Sequence, residues 1–300
     1  MSVAVITGAA SGIGAGLARE AAKRGMHVVL ADRDGERLAE VAAAIGAQAM
    51  AVRCDVADPA SLEALAEQAY AAHGQVDLLF NNAGVLSTGL SWEISAEKWQ
   101  QVVGVNILGV VNGLRAFVPR MIAANRPARI INTASTGGFL PAPLLSPYSA
   151  TKFAVVALTE SLAGELAMLK SPVAVSLLAP GPVKTDIFRE PPSESSKGFV
   201  DMMVGMLNEN GMSADEFAAL VFAGIAHGDY WIIPQPEGFD DGFAARNARI
   251  TTRQPPEFFL TGDDQLHRIG TSKSISSSSD QARAACCRRW WRRTIMPMCL

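Results

Sequence analysis

Tyr148 and Lys152 stand four residues apart in the run "LLSPYSATKFAVVAL", residues 144–158. That spacing places two side chains on one face of a helix, one turn apart. Such a pair can transfer protons, because a nearby ammonium group favours phenolate over phenol. The same spacing also fits a packed tyrosine beside a lysine whose charged end reaches solvent. Of the three tyrosines in the chain, only Tyr148 has a cation one turn further on.

A glycine-rich turn near the N-terminus has the composition of a phosphate-binding loop. The stretch "VAVITGAASGIGAGLARE" places glycines between an apolar run and a helix-like run. Glycines let the backbone approach a pyrophosphate closely, and the following helix N-terminus offers N–H groups and a positive dipole end. An ordinary tight turn is the alternative. The residues expected to contact a dinucleotide here are Gly8, Ser11, Gly12, Ile13 and Gly14.

Asp32 ends the second apolar run, 18 residues after Gly14. An acid at this place can accept hydrogen bonds from the adenosine ribose hydroxyls. It would also repel a 2′-phosphate, so the sequence favours NAD over NADP as the cofactor. Arg33 follows directly and could offset that repulsion, and Asp32 could instead be a surface turn residue.

These residues lie on an alternation of strands and helices. The predicted strands are 3–7, 27–31, 47–54, 76–80, 129–133 and 173–178, and the predicted helices lie near 12–25, 35–45, 59–73, 95–123 and 148–170. Beyond them we expect helices near 199–210 and 213–227, with Ser213 as N-cap, a short strand at 230–234 and a further helical piece. The order predicts an α/β fold, a three-layer doubly wound parallel sheet (Rossmann fold) in a single domain.

Composition limits the classes of partner. Net charge is −3, which gives no reason to expect nucleic acid, and no segment has eighteen continuous apolar residues, so we expect no membrane partner. The four cysteines and four histidines show neither a disulfide framework nor a metal-ligand spacing, so we expect no metal and a reduced, cytoplasmic setting without a secretory signal. We expect residues 1–258 to form the catalytic domain. The Ser-rich, then Arg-rich stretch 259–300 would be a disordered or atypical tail, or else a basic segment that contacts membrane or nucleic acid.

Seven motifs occur in an order and spacing that resemble the short-chain dehydrogenase/reductase family, in its short single-domain subtype. They are "TGAASGIG" (7–14), "CDV" (54–56), "NNAG" (81–84), Asn106 in "NILG", Ser135, "YSATK" (148–152) and "PGPVKT" (180–185). The resemblance covers about residues 1–235. Two stretches, "GVVNGLRAFVPRMI" and "YWIIPQPE", resemble bacterial members that oxidise bulky secondary alcohols, including aromatic ones.

The resemblance implies a role for each matching position. Tyr148 would be the general acid/base, Lys152 would bind the nicotinamide ribose and tune Tyr148, and Ser135 would bind the substrate oxygen. Asn106 would hold a water that connects Lys152 to solvent. The remaining implied cofactor contacts are Asp55 and Val56 beside the adenine, Asn82, Ala83 and Gly84 at the floor, and Pro180, Gly181, Val183 and Thr185 at the nicotinamide end.

The function expected from these residues is the interconversion of a secondary alcohol and a ketone by hydride transfer with a nicotinamide cofactor. Segments 137–147 and 186–212 are apolar and predict a hydrophobic substrate pocket, unless they pack on each other or on a partner subunit. The apolar helices near 95–123 and 148–170 predict a homodimer or homotetramer. The alternatives are an idle NAD-binding regulator, or a family member acting on an acyl thioester or a diol. The small-molecule alcohol or ketone is the expected partner.

Overall fold

The computed structural model describes residues 1–237 and 239–256. The strands are β1 (Val3–Thr7), β2 (His27–Asp32), β3 (Ala49–Arg53), β4 (Leu78–Asn81), β5 (Ala128–Thr133), β6 (Val173–Leu178) and β7 (Trp231–Ile232). The helices are α1 (Gly12–Lys23), α2 (Gly35–Ile45), α3 (Pro59–His73), α4 (Ala96–Val103), α5 (Gly109–Ala123), α6 (Ser146–Met168), α7 (Lys197–Asn210), α8 (Ala214–His227) and α9 (Asp240–Thr252). The seven strands form one parallel sheet in the order β3-β2-β1-β4-β5-β6-β7.

Two hydrophobic clusters cover the two faces of this sheet. One includes Phe117 of α5 and Leu162 of α6, together with residues of α3. The other includes Leu17 of α1 and Phe217 of α8, together with residues of α2. Helices on both faces explain why the strands are continuous apolar runs, since each side chain of a central strand is buried on one side or the other. The predicted three-layer doubly wound fold is confirmed.

Local signals account for where the helices begin and end. Helix α8 begins at the predicted cap Ser213, whose hydroxyl accepts from Glu216 N–H while the Glu216 carboxylate accepts from Ser213 N–H. Helix α3 begins after Asp58, which accepts from Ala60 N–H, and ends at Gly74 in the left-handed region (φ 72°). The bounds of α2, α3 and β6 are those predicted from the sequence.

The helical run near 95–123 differs from the prediction of one continuous α-helix. It consists of α4, a π-helical turn at Gly104–Leu108 and α5. Among the described residues, the run Ala96–Ala123 alone is long and apolar enough to cross a membrane by those two criteria. The sequence analysis expected no such segment because it required eighteen continuous apolar residues, whereas this criterion uses helix length and mean hydropathy. Phe117 and Met121 of the run are buried in the core, as in any helix that covers a sheet, so the criterion is weak evidence for a span.

The strand order places the candidate site. It reverses between β1 and β4, and ligands of open α/β sheets bind beyond the carboxyl ends of the strands at such a point. The glycine-rich turn follows β1, residues 81–84 follow β4, Ser135 follows β5 and residues 180–185 follow β6. The fold therefore brings motifs that are far apart in sequence to one edge. The predicted tail, 259–300, lies outside the described residues.

Candidate active site

The glycine-rich turn between β1 and α1 is a cradle that only glycine can form. Gly8 has φ +69°, and a Cβ there would lie 2.8 Å from Ala83 Cα. A Cβ at Gly14 would lie 2.0 Å from the Gly8 carbonyl oxygen. Ser11 is the N-cap of α1 but makes no side-chain capping bond, which leaves the first N–H groups of the helix for another acceptor. This close packing with unsatisfied donors fits the diphosphate of a dinucleotide.

Asp32 lies at the carboxyl end of β2, on the wall of the same cleft. Its carboxylate accepts hydrogen bonds from Ala10 N–H (3.1 Å) and Asp34 N–H (3.0 Å). These two bonds hold the carboxylate beside the glycine-rich turn. A carboxylate has about four acceptor sites, so two backbone bonds leave it able to accept from a ribose hydroxyl.

Tyr148 and Ser135 meet through their hydroxyl groups. Ser135 follows β5, and its side chain accepts from Gly137 N–H at 3.0 Å while forming a hydrogen bond with the Tyr148 phenol. A Cβ at Gly137 would lie 3.4 Å from both Ser135 Oγ and Tyr148 Cε1, so this glycine leaves room for the pair. Ser135 is 8% exposed and Tyr148 is half-buried. A substrate oxygen placed between the two hydroxyls would contact both.

Lys152 is buried beneath the cleft and is held by the sheet. It is 4% exposed, and its Nζ donates to the Thr133 carbonyl at 2.8 Å. Burial lowers the pKa of Lys152 to about 8. Burial also raises the pKa of Tyr148, which a hydrogen bond from Ser135 partly opposes.

The expectation that Lys152, together with the positive nicotinamide, lowers the pKa of Tyr148 stays a prediction. Lys152 lies beside the Tyr148 ring, and its hydrogen bond goes to the backbone rather than to the phenol. Its Nζ lies over the Tyr148 ring, 5.7 Å from the centroid, while it bonds to Thr133. Burial is the largest cause of the shift in the Tyr148 pKa, and it favours the neutral phenol.

Asn106 supports the site from the π-helical turn. Its Nδ2 donates to the Val85 carbonyl (3.0 Å) and to Thr151 Oγ1 (3.0 Å), and its Oδ1 accepts from Val85 N–H (2.9 Å). Thr151 Oγ1 in turn donates to the Tyr148 carbonyl. Asn106 is 1% exposed and is the one predicted site residue that does not line the cleft. Its amide joins the 81–85 loop to the second turn of α6, through Val85 and Thr151.

A side chain that the sequence analysis did not single out holds the loop after β6. Gln235 Oε1 accepts from Gly181 N–H at 3.1 Å, and Gln235 Nε2 donates to the Pro182 carbonyl at 2.8 Å. A Cβ at Gly181 would lie 2.9 Å from Gln235 Oε1 and 2.8 Å from Phe239. The segment after β7 thus packs on the "PGP" turn. No motif signals this, because the two segments are far apart in sequence.

One cleft of about 480 Å³ collects the predicted residues. Those that line it are Gly8, Ser11, Gly12, Ile13, Gly14, Asp32, Asp55, Val56, Asn82, Ala83, Gly84, Ser135, Tyr148, Lys152, Pro180, Gly181, Val183 and Thr185. Among the described residues no group of three His, Cys, Asp or Glu side chains could hold a metal ion, and the expected absence of a metal stays a prediction.

The predicted apolar pocket is formed by only part of the two expected segments. Seven large apolar residues of the two segments line the cleft: Leu140, Leu145, Ile187, Phe188, Met203, Met206 and Leu207. Phe139 does not, because its ring packs against Trp231 and Phe243 at 5.9 and 5.1 Å. Leu144, Phe199 and Met202 are also absent from the wall. Phe239, which precedes α9, lines the cleft and was not predicted.

The fold and the cleft together define the class of dinucleotide-binding α/β proteins, with Tyr148 and Ser135 in the same cleft as the glycine-rich turn. Within that class, the chain belongs to the short-chain dehydrogenase family, whose model matches residues 2–196. The resemblance found in the motifs is confirmed.

Named relatives are oxidoreductases of the same family. The 1-deoxy-11-beta-hydroxypentalenate dehydrogenase of Streptomyces exfoliatus is 37% identical over 83% of this chain and 85% of its own. The C alpha-dehydrogenase of a Sphingobium species (strain SYK-6) is 33% identical over 78% of this chain and 81% of its own. A crystal structure of a short chain dehydrogenase/reductase from Burkholderia phymatum in complex with NAD has a TM-score of 0.83 and 37% identity. The match covers 87% of this chain and 98% of the Burkholderia phymatum chain.

Proposed function

We propose that this chain is an NAD-dependent dehydrogenase that interconverts a bulky, apolar secondary alcohol and its ketone. The observation that carries the proposal is that one cleft is lined by both the predicted cofactor residues and the predicted catalytic residues. One wall has the glycine-rich turn and Asp32, and the other has Ser135 and Tyr148 beside apolar side chains. A cofactor and an apolar substrate can therefore reach the same tyrosine.

Tyr148 handles the proton of the reaction. In the oxidising direction its phenolate accepts the hydroxyl proton of the alcohol, and in the reducing direction its phenol returns a proton to the oxygen. Ser135 donates a hydrogen bond to the same substrate oxygen and stabilises the charge that develops there. Gly137 N–H keeps the Ser135 side chain oriented. Lys152, anchored at Thr133, supplies a positive charge below the pair while it is protonated.

The cofactor would be held along the carboxyl edge of the sheet. The α1 N-terminus and Gly8 would face the diphosphate, and Asp32 the adenosine ribose. Lys152 would bind the nicotinamide ribose, and the 180–185 segment would hold the nicotinamide end. When bound, the nicotinamide supplies the hydride acceptor or donor. The support for NAD is the carboxylate of Asp32 on the wall and the NAD bound in the similar Burkholderia phymatum structure.

An apolar substrate is supported by the lining of the cleft and by the names of relatives. Phe188, Met203, Met206 and Leu207 contribute flexible or aromatic surface rather than polar groups. The Streptomyces exfoliatus relative is named for a hydroxypentalenate, a hydroxylated substrate. We infer a hydroxyl-bearing substrate for this chain from that name, and an apolar one from the lining of the cleft.

The test is a screen of NAD and NADP against paired small and bulky secondary alcohols, followed at the reduced-nicotinamide absorbance. We expect turnover with NAD and a preference for the bulky member of each pair. Tyr148→Phe should lose about 10³-fold in kcat/KM, while titration of its NADH fluorescence shows retained binding. Full activity of Tyr148→Phe on every substrate of the wild-type protein would disprove the mechanism. Binding of NADH without turnover of any alcohol or ketone would favour an idle regulator.

We also propose that the protein is cytoplasmic and forms a homodimer or homotetramer. The support is the length and apolar character of the α4–α5 run and of α6, which leave Leu108 48% exposed and Met168 85% exposed. Sedimentation analysis of the full chain tests the assembly, and Leu108→Glu should shift it toward monomer.

A further inference from the structure

Arg189 is a cation on the wall of the cleft that the proposed reaction does not use. It follows the 3₁₀ turn Asp186–Phe188, and its backbone N–H donates to the Asp186 carbonyl at 3.1 Å. Its side chain is exposed and lines the cleft. Within residues 1–237 and 239–256, its guanidinium forms no ion pair or side-chain hydrogen bond.

The two acids next to Arg189 on the same wall are already neutralised from outside the segment. Asp186 pairs with Arg37 of α2 at 3.3 Å, and Glu190 pairs with Lys98 of α4 at 2.6 Å. Both acids line the cleft as well. With their charges matched by Arg37 and Lys98, Arg189 leaves this wall with one uncompensated positive charge. Apolar side chains of the same part of the cleft lining, Ile187, Phe188 and Met206, lie near it in the chain or on α7.

We propose that Arg189 binds an anionic group of the substrate, so that the substrate is an apolar secondary alcohol that also carries a carboxylate. A guanidinium matches a carboxylate with two parallel N–H···O bonds, which fixes orientation as well as adding affinity. The apolar wall formed by Ile187, Phe188 and Met206 would contact the hydrocarbon between the two polar ends. The proposal rests on the proposed dehydrogenase function.

A second anion could reach the same guanidinium, namely the diphosphate of the cofactor. The two sources differ in what the loss of Arg189 changes. If Arg189 binds a substrate carboxylate, its removal weakens the activity on charged alcohols more than the activity on neutral ones. If Arg189 binds the cofactor diphosphate, its removal weakens the activity on every alcohol equally and raises the KM for NAD.

The experiment compares (ω−1)-hydroxyalkanoates of increasing chain length with their methyl esters, in the wild-type protein and in Arg189→Gln. We expect the wild type to favour the acid over the ester at one range of chain lengths, and Arg189→Gln to lose this preference by about tenfold in KM. Its kcat with the ester and its KM for NAD should stay unchanged. Arg189→Lys should recover part of the preference. Lys197→Gln, which removes an exposed cation outside the cleft lining, is the matched control and should behave as wild type.

Four outcomes would overturn the proposal. Equal KM values for acid and ester in the wild type would show that the cleft does not recognise the carboxylate. A raised KM for NAD in Arg189→Gln with both substrates would assign the guanidinium to the cofactor. Turnover of neither acid nor ester, nor of any neutral alcohol, would reject the dehydrogenase function itself. Turnover of neutral alcohols alone would reject only the role of Arg189.

Discussion

The ammonium nitrogen of Lys152 lies 5.7 Å from the centre of the Tyr148 ring and donates its hydrogen bond to Thr133, not to the phenol. Burial lowers the pKa of Lys152 to about 8 and raises the pKa of Tyr148. Both shifts favour the uncharged form of each side chain, because the low-polarity surroundings penalise either charge. These shifts favour a neutral Tyr148, so we expect proton acceptance at its phenolic oxygen to depend on pH.

The first prediction concerns the pH dependence of the two reaction directions. Oxidation needs the phenolate of Tyr148, whose fraction is small at neutral pH because burial raises its pKa. The kcat/KM for oxidation should therefore rise about tenfold per pH unit between pH 6 and 8. Ketone reduction needs the phenol and should stay nearly constant over that range. Initial rates in both directions at constant ionic strength measure this. A flat oxidation profile from pH 6 to 8 would mean that the phenolate already exists at pH 6.

The second prediction is that Lys152→Met stabilises the protein while abolishing its activity. The pKa of Lys152 is about 8 when folded, against 10.5 for the unperturbed group. A folded pKa below the unfolded one means that the buried cation destabilises the protein at low pH, and that the penalty shrinks as pH rises from about 8 to 10.5. At pH 7 the variant should gain about 2 kcal/mol in the free energy of unfolding, after allowing for the lost bond to Thr133. Urea unfolding without cofactor measures it.

The control for this prediction is Lys170→Met, which makes the same change at an exposed residue. It should change stability by less than about 0.5 kcal/mol at any pH. The gain of Lys152→Met should be smaller at pH 9.5 than at pH 7, because pH 9.5 lies between the folded pKa of Lys152, about 8, and its unperturbed pKa of 10.5. A variant less stable than wild type by the same amount at both pH values would show that packing, not charge burial, controls this position.

The elements themselves were largely predictable from local sequence. Helix α3 has Asp58 at its N-cap, Pro59 at its first position and Gly74 after its end, and these signals act over a few residues. The strands are apolar runs because both faces of the sheet are covered. The π-helical turn at Gly104–Leu108 was not predictable in this way. Asn106 within it bonds to Val85 and Thr151, and both partners come from other parts of the chain.

The site residues that belong to sequence motifs were predictable. The apolar residues that line the cleft were not, because tertiary packing determines which of them reach it. Ser135 and Tyr148 were found from motif order, and the structure joins them by a hydrogen bond. Among the apolar residues, composition could not separate Phe188, which lines the cleft, from Phe139, which packs against Trp231. Which of these rings reaches the cleft depends on the positions of β7 and of the segment before α9 in the fold. No local sequence pattern specifies those positions.

The third prediction concerns cofactor choice. Asp32→Asn removes the negative charge and keeps one of the two oxygens, so it can retain only one of the bonds that Ala10 N–H makes to Oδ2 and Asp34 N–H makes to Oδ1. Without the charge, a 2′-phosphate is no longer repelled, and Arg33 nearby can attract it. The ratio of kcat/KM for NADP to that for NAD should rise about tenfold or more, which corresponds to about 1.4 kcal/mol. Asp58→Asn, the same change at a cap outside the cleft lining, should leave the ratio unchanged. An unchanged ratio in Asp32→Asn would remove Asp32 from cofactor selection.

The last prediction tests Gln235 as a positioning residue for the "PGP" turn. Gln235→Leu removes the bonds to Gly181 N–H and the Pro182 carbonyl while keeping a similar volume. The loop after β6 would then be held less firmly, so the KM for NAD should rise about tenfold, with a smaller change in kcat for a saturating alcohol. Gln235→Glu keeps an acceptor for Gly181 and should recover part of the affinity. The control is Gln75→Leu, because Gln75 also makes two amide bonds, to Met1 and Asp77, at the opposite edge of the sheet. It should lower thermal stability without changing the KM. If Gln235→Leu lowers stability equally and leaves the KM for NAD unchanged, Gln235 is a structural residue only.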